Sequence, residues 1–349
     1  MKRIIGLLLT GSVLFCSAQK KMDPVPFGNT ILADNLKKDL LIVASPEFEG
    51  RETATEGQRK AAAYIEQYFR GLQLKPGNDS VYQLPFPVYQ DSLLSTRFTV
   101  NDDSFSVFND YDLSLANNYA AGLGTSEVAY AGYGVSDSAQ DDYAGLDVRG
   151  KIVLVKTGYP EGYLRRHTTT ARRFNGFAKS DEAQQHGAVA VLVIQHDFPH
   201  TRAPREGNMY REVYKPVNRP ITVNISENLA RTIMGSGFDS VFNNSLAPGR
   251  TYSCRLWFSF DKETRFMQST DVLGYMEGTD LKDQLLVISA HYDHLGKKGS
   301  TIYYGADDDG SGTVSLLEIA AAFAKARAAG KGPRRSMLFL ANSGEEKGL

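Results

Sequence analysis

Between Leu285 and Ala341 the sequence runs as an apolar stretch, a glycine- and aspartate-rich loop, a helical pattern and a second apolar stretch. Leu285 to Ala290 is a continuous run that predicts a strand buried on both faces. Thr313 to Ala329 carries Val314, Leu317, Ala320, Ala321 and Ala324 at helical spacing and closes with Gly330 and, beyond it, Pro333. Met337 to Ala341 predicts a second strand. The segment is therefore a β-α-β unit, whose right-handed crossover makes the two strands parallel neighbours of one sheet. Such sheets gather their ligands beyond the carboxyl ends of the strands, so the pattern also says where chemistry belongs.

Three polar clusters fall at that edge. They are His291-Tyr292-Asp293-His294 after the first strand, Asp307-Asp308-Asp309-Gly310-Ser311-Gly312 before the helix, and Glu345-Glu346 after the second strand. Imidazole with carboxylates is a donor set that suits catalytic zinc. His291 would bind metal through one ring nitrogen while Asp293 accepts a hydrogen bond from the other and fixes the tautomer. One aspartate would coordinate, and its two oxygens allow it to bridge two ions. One glutamate would coordinate and the other serve as general base toward an acidified water. Adjacent glutamates on a strand end point to opposite sides, which suits two different tasks.

Blander readings compete. A histidine at a strand end is commonly a hydrogen-bonded structural residue, and two glutamates near a chain end are commonly solvated. Asp307-x-Asp309-x-Ser311-Gly312 with Glu318 has the spacing of an EF-hand calcium loop. An EF-hand requires a helix before its loop, however, and here a strand and Gly296, Gly299 and Gly305 come first. His196 and His200 are four apart, but Pro199 disfavours a helix between them. His167 and His186 lack a recognisable carboxylate partner, and His294 is left outside the ligand set as a pocket or turn residue.

At 349 residues the chain can bury the cores of two domains, and its net charge of −1 gives no basic excess for nucleic acid. Lys2 and Arg3 precede an apolar run from Ile4 to Phe15, with small residues at Cys16-Ser17-Ala18. This predicts a signal peptide over 1–18, cleaved before Gln19, and a secreted or periplasmic protein. A lipid anchor through Cys16 is disfavoured by the bulk of Phe15. No other segment approaches membrane-spanning length. Cleavage leaves Cys254 alone, read as a buried thiol. Helices are expected in two pieces between Asn35 and Pro76, the second opened by a capping box at Thr55 to Gln58. Short β runs follow over 81–107. Strands near 128–135 and 151–156, a helix over 180–186, a strand over 188–194 and a loop over 199–220 complete the middle of the chain.

The motifs Ala290-His-Tyr-Asp-His-Leu-Gly, Gly305-Ala-Asp-Asp-Asp-Gly-Ser-Gly and Gly344-Glu-Glu-Lys-Gly-Leu resemble those of the zinc aminopeptidase and glutamate-carboxypeptidase family of co-catalytic metallopeptidases. Leu41 to Gln58, with Arg51 inside it, is similar to the opening of that peptidase domain. Ala131 to Val155 resembles the protease-associated domain inserted in many members. The resemblance implies a three-layer α/β sandwich, mostly parallel and twisted with helices on both faces, interrupted by a β-rich α+β domain. The divisions expected are 19–110, 111–255 and 256–349. It also implies two zinc ions, with His291 on one, Glu346 on the other, Asp308 bridging, Glu345 as general base and Asp293 behind His291. A cis peptide often follows the residue matching Asp308. The family takes one more aspartate and one more histidine from sequence beyond the glutamate pair, so the chain reads as C-terminally truncated, with a strand edge left exposed. Peptides or proteins are the implied substrates. The rivals are a metal-free binding protein of the same fold and a single-zinc transferase resembling glutaminyl cyclase.

Overall fold

A computed structural model describes residues 23–163, 176–200, 205–215, 219–243 and 248–349. The signal segment, Cys16 and His167 lie outside the described residues. By contact the chain divides into two compact units, one of 1–51, 60–84 and 271–342, the other of 52–59, 85–270 and 343–349.

In the first unit the expected β-α-β unit is present. Strand Leu281–His291 runs parallel to Arg335–Asn342, with Ile288 opposite Phe339 and His291 opposite Asn342. Helix Ser311–Ala328 connects them. On its other side strand 335–342 pairs antiparallel with 272–276, and Lys75–Pro76 adds a short outer rung on that strand. Alternate residues Met337, Phe339 and Ala341 point into one core. Ala61, Ala62, Ile65 and Phe69 of helix Glu56–Gly71 cover it, with Leu316, Leu317 and Ala320 of helix 311–328. Burying a side chain such as Phe69 contributes about 1.5–3 kcal/mol. The capping box forms in part: the Gln58 N–H donates to Thr55 Oγ1 at 3.5 Å, while Gln58 Oε1 accepts the Ala54 N–H at 3.1 Å rather than that of Thr55. Buried Glu318 accepts Tyr68 Oη at 2.9 Å, and burial followed by that bond pushes the Tyr68 hydroxyl pKa upward.

Strand 281–291 differs from the expectation of burial on both faces. Leu285, Leu286 and Val287 are 54%, 48% and 48% exposed. The strand pairs on one side only, at the edge of the described sheet.

In the second unit strands Ala121–Tyr130, Ile152–Lys156, Ala190–Gln195 and Ile221–Ser226 lie parallel in that order. The β period of two sorts their side chains cleanly. Ile152, Leu154 and Leu192 face a core closed by Leu229, Ala230 and Ile233 of helix Glu227–Met234. Val153, Val155, Val191 and Val193 face another that contains Ala183 of helix Gly176–Gln185. Ser226 caps helix 227–234, its Oγ accepting the Leu229 N–H at 3.2 Å. Strand Arg250–Met276 pairs antiparallel with 121–130 through residues 250–260. Cys254 is buried here, and burial pushes its thiol up to about 11.

Two expectations need correction. The short β runs of 81–107 are mostly one strand, Gln83–Val100, with Pro85 and Pro87 on exposed positions. The loop of 199–220 contains strand Glu206–Tyr210, which pairs with 89–92.

Candidate metal centre

His291 closes strand 281–291, and the chain turns sharply through buried Tyr292, Asp293 and His294. The His291 Nδ1 lies 3.2 Å from the Asp293 backbone oxygen and 3.6 Å from its carboxylate. The nearer backbone oxygen is the closer partner for that nitrogen, and Nε2 is turned toward the aspartates. It lies 3.4 Å from Asp308 Oδ1 and 4.0 Å from Asp309 Oδ2. Thr313 Oγ1 donates to the His291 carbonyl at 2.9 Å, tying the first turn of helix 311–328 to the strand end.

The aspartates stand on a tight turn, Ala306–Gly310, that runs straight into that helix. A β-hairpin of 297–298 and 301–302 precedes it, and Glu318 lies buried against Tyr68, so the calcium-loop reading has neither its entering helix nor its closing ligand. The peptide between Asp308 and Asp309 is cis. Gly305 enters the turn at φ +55°, and a Cβ there would collide with the ring of His294. Asp308 is the outermost of these groups, its side chain 70% exposed.

Glu345 and Glu346 occupy a 3₁₀ turn, Glu345–Lys347, entered by Gly344 at φ +96°. They are therefore not on a strand end, and their side chains diverge by about 120° rather than to opposite faces. Lys347 pairs with Glu52 at 2.7 Å. Glu345 is exposed and Glu346 half-buried.

His294 and Asp308 each offer one ligand atom, and these atoms lie within 4.8 Å of one another. His294, left outside the ligand set on sequence grounds, thus stands in the group; the His-x-x-His spacing was the signal for it. The donor chemistry fits zinc. Two ligands at about 2.0–2.1 Å from one ion in tetrahedral geometry sit about 3.4 Å apart, the separation of His291 Nε2 from Asp308 Oδ1.

The other described histidines have structural partners. His186 has a carboxylate after all, Glu182 one turn earlier at 3.3 Å, and its ring stacks on Tyr143. His196 pairs with Glu227, and His200 lies between Asp112 and Asp197.

Residues 271–349 match the model of peptidase family M28, and residues 115–228 match the PA domain. Those two segments are thus similar to the M28 peptidase family and to the PA domain. Among curated relatives, the vacuolar membrane protease of Tuber melanosporum (strain Mel28) is 33% identical over 116 residues, 32% of this chain and 11% of that protein. The probable glutamate carboxypeptidase VP8 of Zea mays is 30% identical over 115 residues, 33% of this chain and 14% of that protein. The match thus spans only a small part of these relatives. Among solved structures, the aminopeptidase from Aneurinibacillus sp. strain AM-1 superposes with a TM-score of 0.53 at 17% identity. The match covers 93% of this chain and 66% of that one, and it shows the shared fold. The secreted or periplasmic location expected from the N-terminal segment is corrected by the relatives in Tuber melanosporum and Saccharomyces cerevisiae, which are named vacuolar membrane proteases. Among the described residues no helix is long and apolar enough to cross a membrane.

Proposed function

We propose that the M28 domain belongs to a two-zinc peptidase acting as an aminopeptidase, with Glu345 as its general base. The observation that carries this reading is the convergence of the His294 and Asp308 donor atoms within 4.8 Å, with His291 3.4 Å from Asp308. Asp308 would be shared between two ions, with His291 on one side and Glu346 on the other. His294 stands beside Asp308, within ligand reach. Bound zinc would supply Lewis acidity toward a carbonyl and lower the pKa of water. The chain's own residues do the rest. The exposed Glu345 carboxylate takes a proton from the attacking water and returns it to the leaving amine. Asp293, fully buried behind His291, keeps negative charge beside Nδ1 and favours a proton on that nitrogen, leaving Nε2 as the donor to metal.

Zinc stoichiometry and hydrolysis of aminoacyl-nitroanilides, both measured on the full-length protein, test the proposal together. Two zincs and activity abolished in Glu345→Gln, with both zincs retained, are expected. One zinc would favour the cyclase-like transferase, and none the binding protein. Cleavage of N-blocked peptides from the carboxyl end, with the nitroanilides untouched, would replace aminopeptidase by carboxypeptidase action.

A further inference from the structure

Arg51 is fully buried, an uncommon position for a guanidinium, and its own backbone sits at φ +52°. Four of its hydrogen bonds go to main-chain carbonyls. Nε donates to Tyr292 O at 2.7 Å, Nη1 to Val43 O and Tyr304 O at 2.8 Å each, and Nη2 to Gly305 O at 2.9 Å. These four carbonyls belong to three separate segments. Val43 ends helix Ala33–Val43, where the last carbonyls lack helical partners and favour a cation. Tyr292 lies between His291 and His294. Tyr304 and Gly305 lead directly into the turn that holds Asp308. The Arg51 carbonyl in turn accepts the His294 N–H at 3.2 Å, and the Gly50 carbonyl accepts the Gly296 N–H at 3.0 Å.

A charge taken fully out of water is tolerated only where its hydrogen-bonding capacity is met. Here the planar fork meets acceptors that no single strand or helix could bring together. Lysine has three donors on one nitrogen and cannot reach acceptors spread around a plane in this way.

We propose that Arg51 is the positioning residue of the metal centre, a buried clamp that fixes the histidine turn and the aspartate turn at ligand spacing before any ion arrives. The proposal rests on the metal-centre reading above and deepens it. Zinc affinity in Arg51→Lys and Arg51→Met, measured by competition with a chromophoric chelator, tests it, alongside melting of the metal-free proteins. A loss of about 10- to 100-fold is expected, as for other groups that hold ligands from behind. Phe69→Leu, a core substitution away from the centre, serves as control and should lower the melting temperature while leaving zinc affinity unchanged. Zinc affinity within twofold of the unsubstituted protein in a folded Arg51 variant overturns the proposal. So does an equal loss in the Phe69 control.

Should both Arg51 variants fail to fold, hydrogen exchange on the unsubstituted protein decides. The His294 and Gly310 N–H groups are expected to exchange slowly without zinc, and protection that arises only on adding zinc overturns the clamp. If the unsubstituted protein binds no zinc, the metal reading falls, and the exchange pattern of the same amides still judges the clamp by itself.

Discussion

The Asp309 carboxylate accepts the backbone N–H of Gly312 at 2.9 Å. That bond gives two neighbouring aspartates different tasks. Asp309 satisfies an unpaired donor in the first turn of helix 311–328, while Asp308 projects outward toward His291 Nε2. Asp308→Asn is expected to abolish zinc binding with little change in the melting temperature of the metal-free protein. Asp309→Ala should lower that stability by about 0.5–2 kcal/mol and weaken zinc binding less. Calorimetry and zinc titration on the two variants check the split; equal zinc losses in both would remove it.

Gly50 turns at φ +73°, and a Cβ there would collide with the carbonyl oxygens of Gly296 and Tyr303. Both obstacles are main chain and cannot swing aside. Gly50→Ala is expected to cost about 1–3 kcal/mol, the usual range for overpacking. It should disturb the segment after His294 in the same step. Urea unfolding measures the first effect and zinc affinity the second; an unchanged urea midpoint would contradict both.

Asp91 is fully buried in the second unit and holds two lysines. Lys262 lies 2.7 Å away, Lys215 bonds the same oxygen, and Thr264 and Tyr210 donate to the other at 2.6 and 3.0 Å. Burial pushes the carboxyl pKa up, but the bonds from Lys215, Lys262 and Thr264 outweigh it and hold the group at about 2. The folded value lies below the ordinary value near 3.9. The stabilisation is therefore fully present above pH ~4 and is lost as pH falls through about 2. Asp91→Asn leaves two part-buried lysines without their carboxylate and is expected to cost up to about 3–5 kcal/mol near neutral pH. The difference in melting temperature from the unsubstituted protein should shrink below pH ~4. A difference constant down to pH ~2 would contradict the assignment.

Cys254 is buried with its thiol raised to about 11, so very little thiolate forms near neutral pH. It is expected to resist a disulfide reagent in the native protein and to react at once in denaturant. Rapid native labelling would place it at the surface instead.

The residues proposed for the metal centre could be singled out because they sit at the ends of elements with strong periodicity. His291, Asp308 and Glu346 each border a run whose pattern leaves little choice of structure, and parallel pairing brings such borders to one edge. Arg51 was legible only as part of a similar motif, since its partners are carbonyls and every residue has one. Strand 206–210 was read as loop because Glu-Gly-Asn-Met-Tyr carries no β signal. It forms through pairing with 89–92, a contact more than a hundred residues away. Prolines at 85 and 87 broke the reading of strand 83–100, although both occupy exposed positions where a missing N–H is tolerated. Exposure of Leu285 to Val287 was hidden too, because an apolar run does not reveal how many neighbours its strand will have.

Strand 250–276 is one unbroken backbone, and its first eleven residues take their partners from 121–130, inside the segment that matches the PA domain. Cutting out 115–228 and rejoining the ends would strip those rungs and remove much of the core around Leu256, Phe258 and Phe260, leaving Phe258 its packing on Phe98 and Tyr111. What looks along the chain like a detachable cassette is stitched into its host by a shared thread, and exchange with a foreign insert would have to carry residues 250–260 along with it.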